Sequence, residues 1–261
     1  MKNQYFGDIN DYVKYGLLRV FSATHRVAVC WMLTGDDGGT DGRLIGYLGE
    51  RDRYRSLDPP LFDALCEAIA CRTRDVGVVV RESLIPRATY HADLLTDHGP
   101  ARDVYFHTLW ERATSHDLIF FDPDNGLEVA SVPKGKRNSA KFLYLDELNQ
   151  TYERGFSVVV YQHFPRVPRT LFLERTRERI QSMIPEATID VLQTARVAFV
   201  IVSPPARAAG TRAAVIAAAD RWAGLLAGGG NPDVQAAPSV LESRSRSPGL
   251  ARPLPWNRGP C

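Results

Sequence analysis

The chain is poor in cysteine, with four in 261 residues and no Cys-x-x-Cys pair. Neither a disulfide framework nor a structural zinc is expected, and the reading is a reduced, cytoplasmic protein. Long apolar runs are also missing. None approaches the roughly 18 residues of a membrane span. The start, Met1-Lys2-Asn3-Gln4-Tyr5, is polar and lacks the apolar stretch of a signal peptide, so no membrane partner is expected. The six histidines show no HxxxH or HExxH spacing, which argues against a zinc centre. There is no Gly-Lys-Ser/Thr of a P-loop and no GxSxG elbow. An excess of one charge is absent too. Lys and Arg total 32 against 30 Asp and Glu, for a net charge of +2. Residues 1–223 hold 28 of each, so bulk charge gives no case for coating nucleic acid or membrane.

Glycine and proline are unevenly placed. Residues 224–261 contain six of each among 38 residues, together with Ser-Arg-Ser-Arg-Ser at 243–247. Such a stretch cannot build a core, and it reads as a disordered tail after one α/β domain at 1–223. Within that domain short apolar runs alternate with helical periodicity. Helices are expected at 11–21, 60–71, 101–114 (with Val104, Leu109 and Trp110 inward), across most of 139–154, and at 168–183 and 211–226. Strands are expected at 26–33, 76–80, 89–94, 117–121 and 156–161, with a closing hairpin at 189–193 and 197–202. This alternation predicts a mostly parallel sheet with an antiparallel C-terminal edge. Ligands of such sheets lie beyond the carboxyl ends of the strands.

Three strand ends are unusually polar. Leu118-Ile119-Phe120-Phe121 runs into Asp122-Pro123-Asp124-Asn125-Gly126-Leu127-Glu128. The proline sets a rigid turn behind a carboxylate, and Asn-Gly permits positive φ close to a ligand. Three acids packed there repel one another unless something neutralises them. The strand at 26–33 runs into Gly35-Asp36-Asp37-Gly38-Gly39-Thr40-Asp41-Gly42, which is either a ligand loop or a flexible polar connection. The third end is Tyr161-Gln162-His163-Phe164-Pro165-Arg166. There His163 offers a titratable base, Tyr161 and Phe164 a stacking surface, and Arg166 a phosphate contact.

A hydrophobic strand followed by Asp-Pro resembles the catalytic motif of N6-adenine-type S-adenosylmethionine methyltransferases, Asp/Asn-Pro-Pro-aromatic. Asp122-Pro123 matches its first half, and Asp124-Asn125 departs from the second. Asn3 to Tyr15 looks like the N-terminal segment of the 23S ribosomal RNA adenine-N6 methyltransferases, Gly-Asn-x-Ala-Asp-Val-x-Lys-His. Asp11, Lys14 and Tyr15 fall on its Asp, Lys and His. The same start also resembles an uncharacterised bacterial protein group, from which no function carries over. The methyltransferase resemblance implies a Rossmann-like fold. It also implies S-adenosylmethionine near Lys14, Tyr15, Asp36, Gly38 and Asp41. Catalysis would fall to Asp122, Pro123, Asp124, Asn125 and His163, and the acceptor to Tyr161, Phe164 and Arg166. RNA or DNA would be the partner. Two alternatives stay open: a Mg²⁺-dependent nuclease or phosphohydrolase using Asp122, Asp124 and Glu128, and a non-catalytic relative of the fold.

Overall fold

A computed structural model describes residues 1–35 and 44–228. Asp36, Gly38 and Asp41 of the expected cofactor loop, and the expected disordered tail beyond residue 228, lie outside the described residues. The described elements, in chain order, are α1 (Ile9–Ser22), β1 (Val27–Cys30), α2 (Arg51–Tyr54), α3 (Pro59–Ala70), α4 (Gly77–Arg81), β2 (Thr89–His91), α5 (Gly99–Arg112), β3 (Leu118–Phe121), β4 (Gly126–Leu127), β5 (Phe142–Leu143), α6 (Leu145–Glu153), β6 (Ser157–His163), α7 (Arg169–Met183), β7 (Thr188–Gln193), β8 (Val197–Ser203), α8 (Pro205–Arg221) and β9 (Ala227–Gly228). The protein is α/β.

Seven strands form one sheet in the order β2-β1-β3-β6-β8-β7-β9. β2, β1, β3 and β6 are parallel neighbours, β8 is antiparallel to both β6 and β7, and β9 is antiparallel to β7. The expected hairpin is present, β7 pairing antiparallel with β8. Its second strand, β8, is inserted beside β6, and β7 lies outside it. β8 is buried at all seven positions, which suits an interior place better than an edge.

The strands are apolar on both faces, and successive residues part to opposite sides. Val27, Val29, Leu118, Phe120, Val159 and Tyr161 join a core with Leu17 and Phe21 of α1, Leu61 and Phe62 of α3, and Val215 of α8. Ala28, Cys30, Ile119, Phe121, Val158 and Val160 join a second core with Phe106 of α5, Leu148 of α6 and Ile180 of α7. Helices thus cover both faces, as a parallel sheet requires. Gly16 lets α1 approach the chain end of α8, for a Cβ there would lie 1.7 Å from the Trp222 ring.

Three expectations are corrected and one holds. The run 76–80 is helical, because the Asp75 side chain accepts the Gly77 N–H at 2.8 Å and opens a turn. Val104 is 66% exposed, and α5 instead buries Tyr105, Phe106, Leu109 and Trp110. The expectation that most of 139–154 is helical holds, with a 3-10 turn at Ser139–Lys141, β5 at Phe142–Leu143 and the α-helix over Leu145–Glu153. The last helix starts at Pro205 and ends at Arg221, earlier at both ends than its apolar periodicity indicates.

Candidate active site

From β1 the chain crosses to β2 on one side, then returns past β1 to β3 on the other. The crevice of such a sheet opens at that reversal, beyond the carboxyl ends of β1 and β3. A cavity of about 520 Å³ lies beside this edge. It is lined by Met1, Tyr5, Asp8, Asn10, Asp11, Lys14, Leu44, Asp122, Pro123, Asp124, Asn125, Tyr161 and His163.

α1 supplies one wall. Asp8 caps the helix by accepting the N–H groups of Asn10 (2.8 Å) and Asp11 (2.9 Å). One turn on, Asp11 and Lys14 share a face, and the Lys14 ammonium sits 2.6 Å from Asp11 Oδ1. The same ammonium donates to Asp122 Oδ2 at 2.7 Å, with side chains only 1% and 2% exposed. Three aromatic rings, Tyr15, Trp31 and Tyr161, stand 5.0–5.8 Å from it. A lone buried ammonium would lose its proton. Burial does pull Lys14 down, but Asp11 and Asp122 outweigh it and hold the group above its ordinary range. Burial pushes Asp11 up to about 7, against the pull of Lys14. Its Oδ2 accepts from Gly7 N (3.0 Å) and the Tyr15 hydroxyl (3.2 Å). Burial also raises Asp8.

The end of β3 supplies the second wall. Asp122 N–H donates to Cys30 O at 3.0 Å, which ties the turn to β1. Asp124 Oδ2 accepts from the Thr34 hydroxyl at 2.8 Å, so the loop after β1 starts at the same edge as the Asp-Pro turn. The Met1 ammonium contacts Asp124 Oδ1 (2.8 Å) and donates to Asp122 O (2.9 Å). Burial works against charge on Asp124, but that ammonium and Thr34 hold its carboxyl below the usual range. Asp122 Oδ1 has no protein donor among the described residues.

Gln162 locks the turn from beneath. Its Oε1 accepts Leu127 N–H at 2.8 Å, and its Nε2 donates to Asn125 O at 3.2 Å and His163 O at 2.7 Å. Gly126 has φ +107°, and a Cβ there would lie 2.3 Å from the Gln162 amide. Glycine is therefore required twice, by conformation and by contact.

Of the residues expected at a site, Lys14, Asp122, Pro123, Asp124, Asn125, Tyr161 and His163 line the cavity together. Tyr15 lies in the core behind it, bonded to Asp11. Phe164 and Arg166 are not brought to it. Phe164 packs on Phe172 and Leu173 instead, beneath the Arg169 guanidinium, and Arg166 is exposed beyond β6. Glu128 is turned away, bonding Leu145 N and pairing with Arg179. The Asp122, Asp124 and Glu128 carboxylates thus do not converge, and no group of three or more metal-ligating side chains occurs among the described residues. Sequence reasoning missed Gln162, for nothing local distinguishes a clamping glutamine. It also missed the buried Arg102–Glu147 pair that fixes α6 against α5 (2.5 Å). His163 ends β6 and touches the Tyr161 ring, 5.0 Å away edge-on. Neither of its nitrogens has a protein partner among the described residues. Desolvation beside the cavity lowers its pKa from the ordinary histidine value.

No protein-family profile matches the chain, and neither a curated protein nor a solved structure matches it. No described helix is long and apolar enough to cross a membrane.

Proposed function

We propose that the chain is an S-adenosylmethionine-dependent methyltransferase of Rossmann-like fold that acts on an amino group, adenine N6 being the acceptor its motif implies. One observation carries this reading. Two segments far apart in sequence, each resembling this class of enzyme, meet in the 2.7 Å contact between Lys14 and Asp122 at the mouth of the sheet. Local turn chemistry gives no reason for that meeting.

The residues suit the cofactor. Its sulfonium and ammonium are cationic, and the cavity wall is rich in carboxylates. When bound, S-adenosylmethionine supplies an electrophilic methyl group. Asp122 Oδ1 accepts a hydrogen bond from the acceptor amine and orients its lone pair. Lys14 fixes the carboxylate through Oδ2. Such positioning is what an in-line displacement asks of a protein. His163, whose ring nitrogens have no protein partner among the described residues, is suited to take the proton that the amine must then release. Tyr5 and Tyr161 supply aromatic surface on the wall, since Asn125 stands where the resembled motif has a ring.

That substitution favours a second reading, a non-catalytic relative of the fold. Isothermal titration decides between them. S-adenosylmethionine is expected to bind one to one, with affinity weakened in Asp122→Ala. Absence of binding at millimolar ligand rejects the enzyme reading.

A further inference from the structure

The buried pair of Arg102 and Glu147 lies outside the cavity, yet it reaches the cavity wall through one short segment. Arg102 of α5 is 0% exposed. Its Nε and Nη2 donate to the two carboxylate oxygens of Glu147, at 2.5 and 2.8 Å. The same guanidinium donates to two backbone carbonyls, Ser139 O at 3.1 Å and Phe142 O at 2.6 Å. Asp97 grips that segment at its start. Its Oδ2 accepts Asn138 N–H at 2.9 Å, and its Oδ1 accepts Ala140 N–H at 2.7 Å.

Residues 138–144 thus form a strap, and the strap holds the turn after β3. Lys141 O accepts Asn125 N–H and Leu143 O accepts Glu128 N–H, each at 2.9 Å. Between these contacts β5 pairs with β4. Gln162 holds the same turn from the other side, through Asn125 O and Leu127 N–H. The backbone from Asn125 to Glu128 is therefore clamped between two supports, and Asp122 to Asn125 line the cavity. Stability alone does not account for the arginine, because apolar side chains of similar volume often replace a buried ion pair without loss. What they cannot supply is a rigid planar fork that spans a carboxylate and two carbonyls at once.

We infer that Arg102 is a positioning residue for the candidate site, acting through the 138–144 strap on the turn that carries Asp122, Asp124 and Asn125. Its bearing on cofactor affinity rests on the methyltransferase reading; its hold on the turn does not.

Two measurements on full-length protein test this: amide hydrogen exchange read residue by residue by NMR, and calorimetric titration with S-adenosylmethionine. Arg102→Met combined with Glu147→Gln removes the fork without leaving a buried charge unpaired, and the glutamine keeps an acceptor for Tyr144 N–H. Exchange at Asn125 and Glu128 is expected to quicken at least about tenfold relative to the amides of β3. Affinity for S-adenosylmethionine is expected to fall at least about threefold. Asp97→Ala frees the start of the strap, touches no buried charge pair, and is expected to quicken the same two amides. Arg207→Met is the control. It removes an arginine that bonds Asp117 and Gly155 O at the amino ends of β3 and β6, and it should change the exchange ratio by less than about twofold. If the double variant and Asp97→Ala move the two amides no more than the control does, Arg102 merely packs α5 on α6 and the inference is overturned. It is overturned equally if the amides quicken while S-adenosylmethionine binds as tightly as before. If the wild-type protein binds no S-adenosylmethionine, the methyltransferase reading falls alone, and the exchange rates still decide whether Arg102 holds the turn.

Discussion

Lys14→Met strips Asp11 and Asp122 of their shared cation while leaving both carboxylates buried. Breaking such a pair costs about 3–5 kcal/mol, more than the methionine's packing returns, and urea unfolding at pH 7 measures it. Asp11 gives the stability a pH dependence of known sign. Its carboxyl is raised to about 7 in the folded chain and is near 4 when unfolded. Between those values the native state holds a proton that the unfolded state has released, so this contribution is complete below about pH 4 and is lost as pH rises through 7. Asp124, held below its ordinary range, acts oppositely and loses its contribution only in acid. Urea midpoints are therefore expected to fall from pH 5 to pH 8, and Asp11→Asn to flatten that slope. The individual residues of the site were partly legible. Asp122-Pro123 announced itself because a carboxylate and a rigid turn at a strand end are local features. Lys14 was legible only by resemblance, since a lysine one turn after an aspartate is as common on a solvated helix. Gln162 left no mark at all, as its role exists only once β6 lies beside the Asp-Pro turn.

Among the elements, α1 tests packing against propensity. Alanine favours a helix over glycine by about 1 kcal/mol, so Gly16→Ala should stabilise an isolated α1. In the protein the added methyl would meet the Trp222 ring. Overpacking of this kind costs about 1–3 kcal/mol, and the variant is expected to be less stable by calorimetric melting. At the turn after β3, Gly126→Ala combines positive φ with the Gln162 contact. Gln162→Ala in the same chain should relieve only the steric part, a non-additivity that a double-mutant cycle reads. Element boundaries divide along similar lines. β3 and β6 were legible as unbroken apolar runs. The run at 76–80 has the same composition but is too short to choose its own conformation, and a single Asp75 side chain decides it for a helix. Val104 misled because α5 carries large aromatics at 105, 106 and 110, which claim the inward face.

Across the whole molecule, two cores sandwich one sheet, and its centre is more deeply covered than its ends. β3, β6 and β8 are buried along almost their full length, whereas β2 and β9 are short and partly exposed. Amide hydrogen exchange is expected to be slowest in β3, β6 and β8 and fastest in β2 and β9; uniform protection across the seven strands would contradict this picture. The alternation of strand and helix made the α/β class legible. The placing of β8 inside β7 was not, because a hairpin has the same sequence pattern whichever strand turns inward.

The contact between Lys14 and Asp122 also has a consequence for biogenesis. It spans 108 residues, and the chain is synthesised from the lysine end. While the ribosome is still making β1 to α5, Lys14 has Asp8 and Asp11 of its own segment nearby but not Asp122, and its half of the cavity cannot close. The site is finished only when β3 docks beside β1 and β6 then covers it, so a stalled or truncated nascent chain ending before residue 122 carries a lysine without its Asp122 partner where the finished protein carries its pocket.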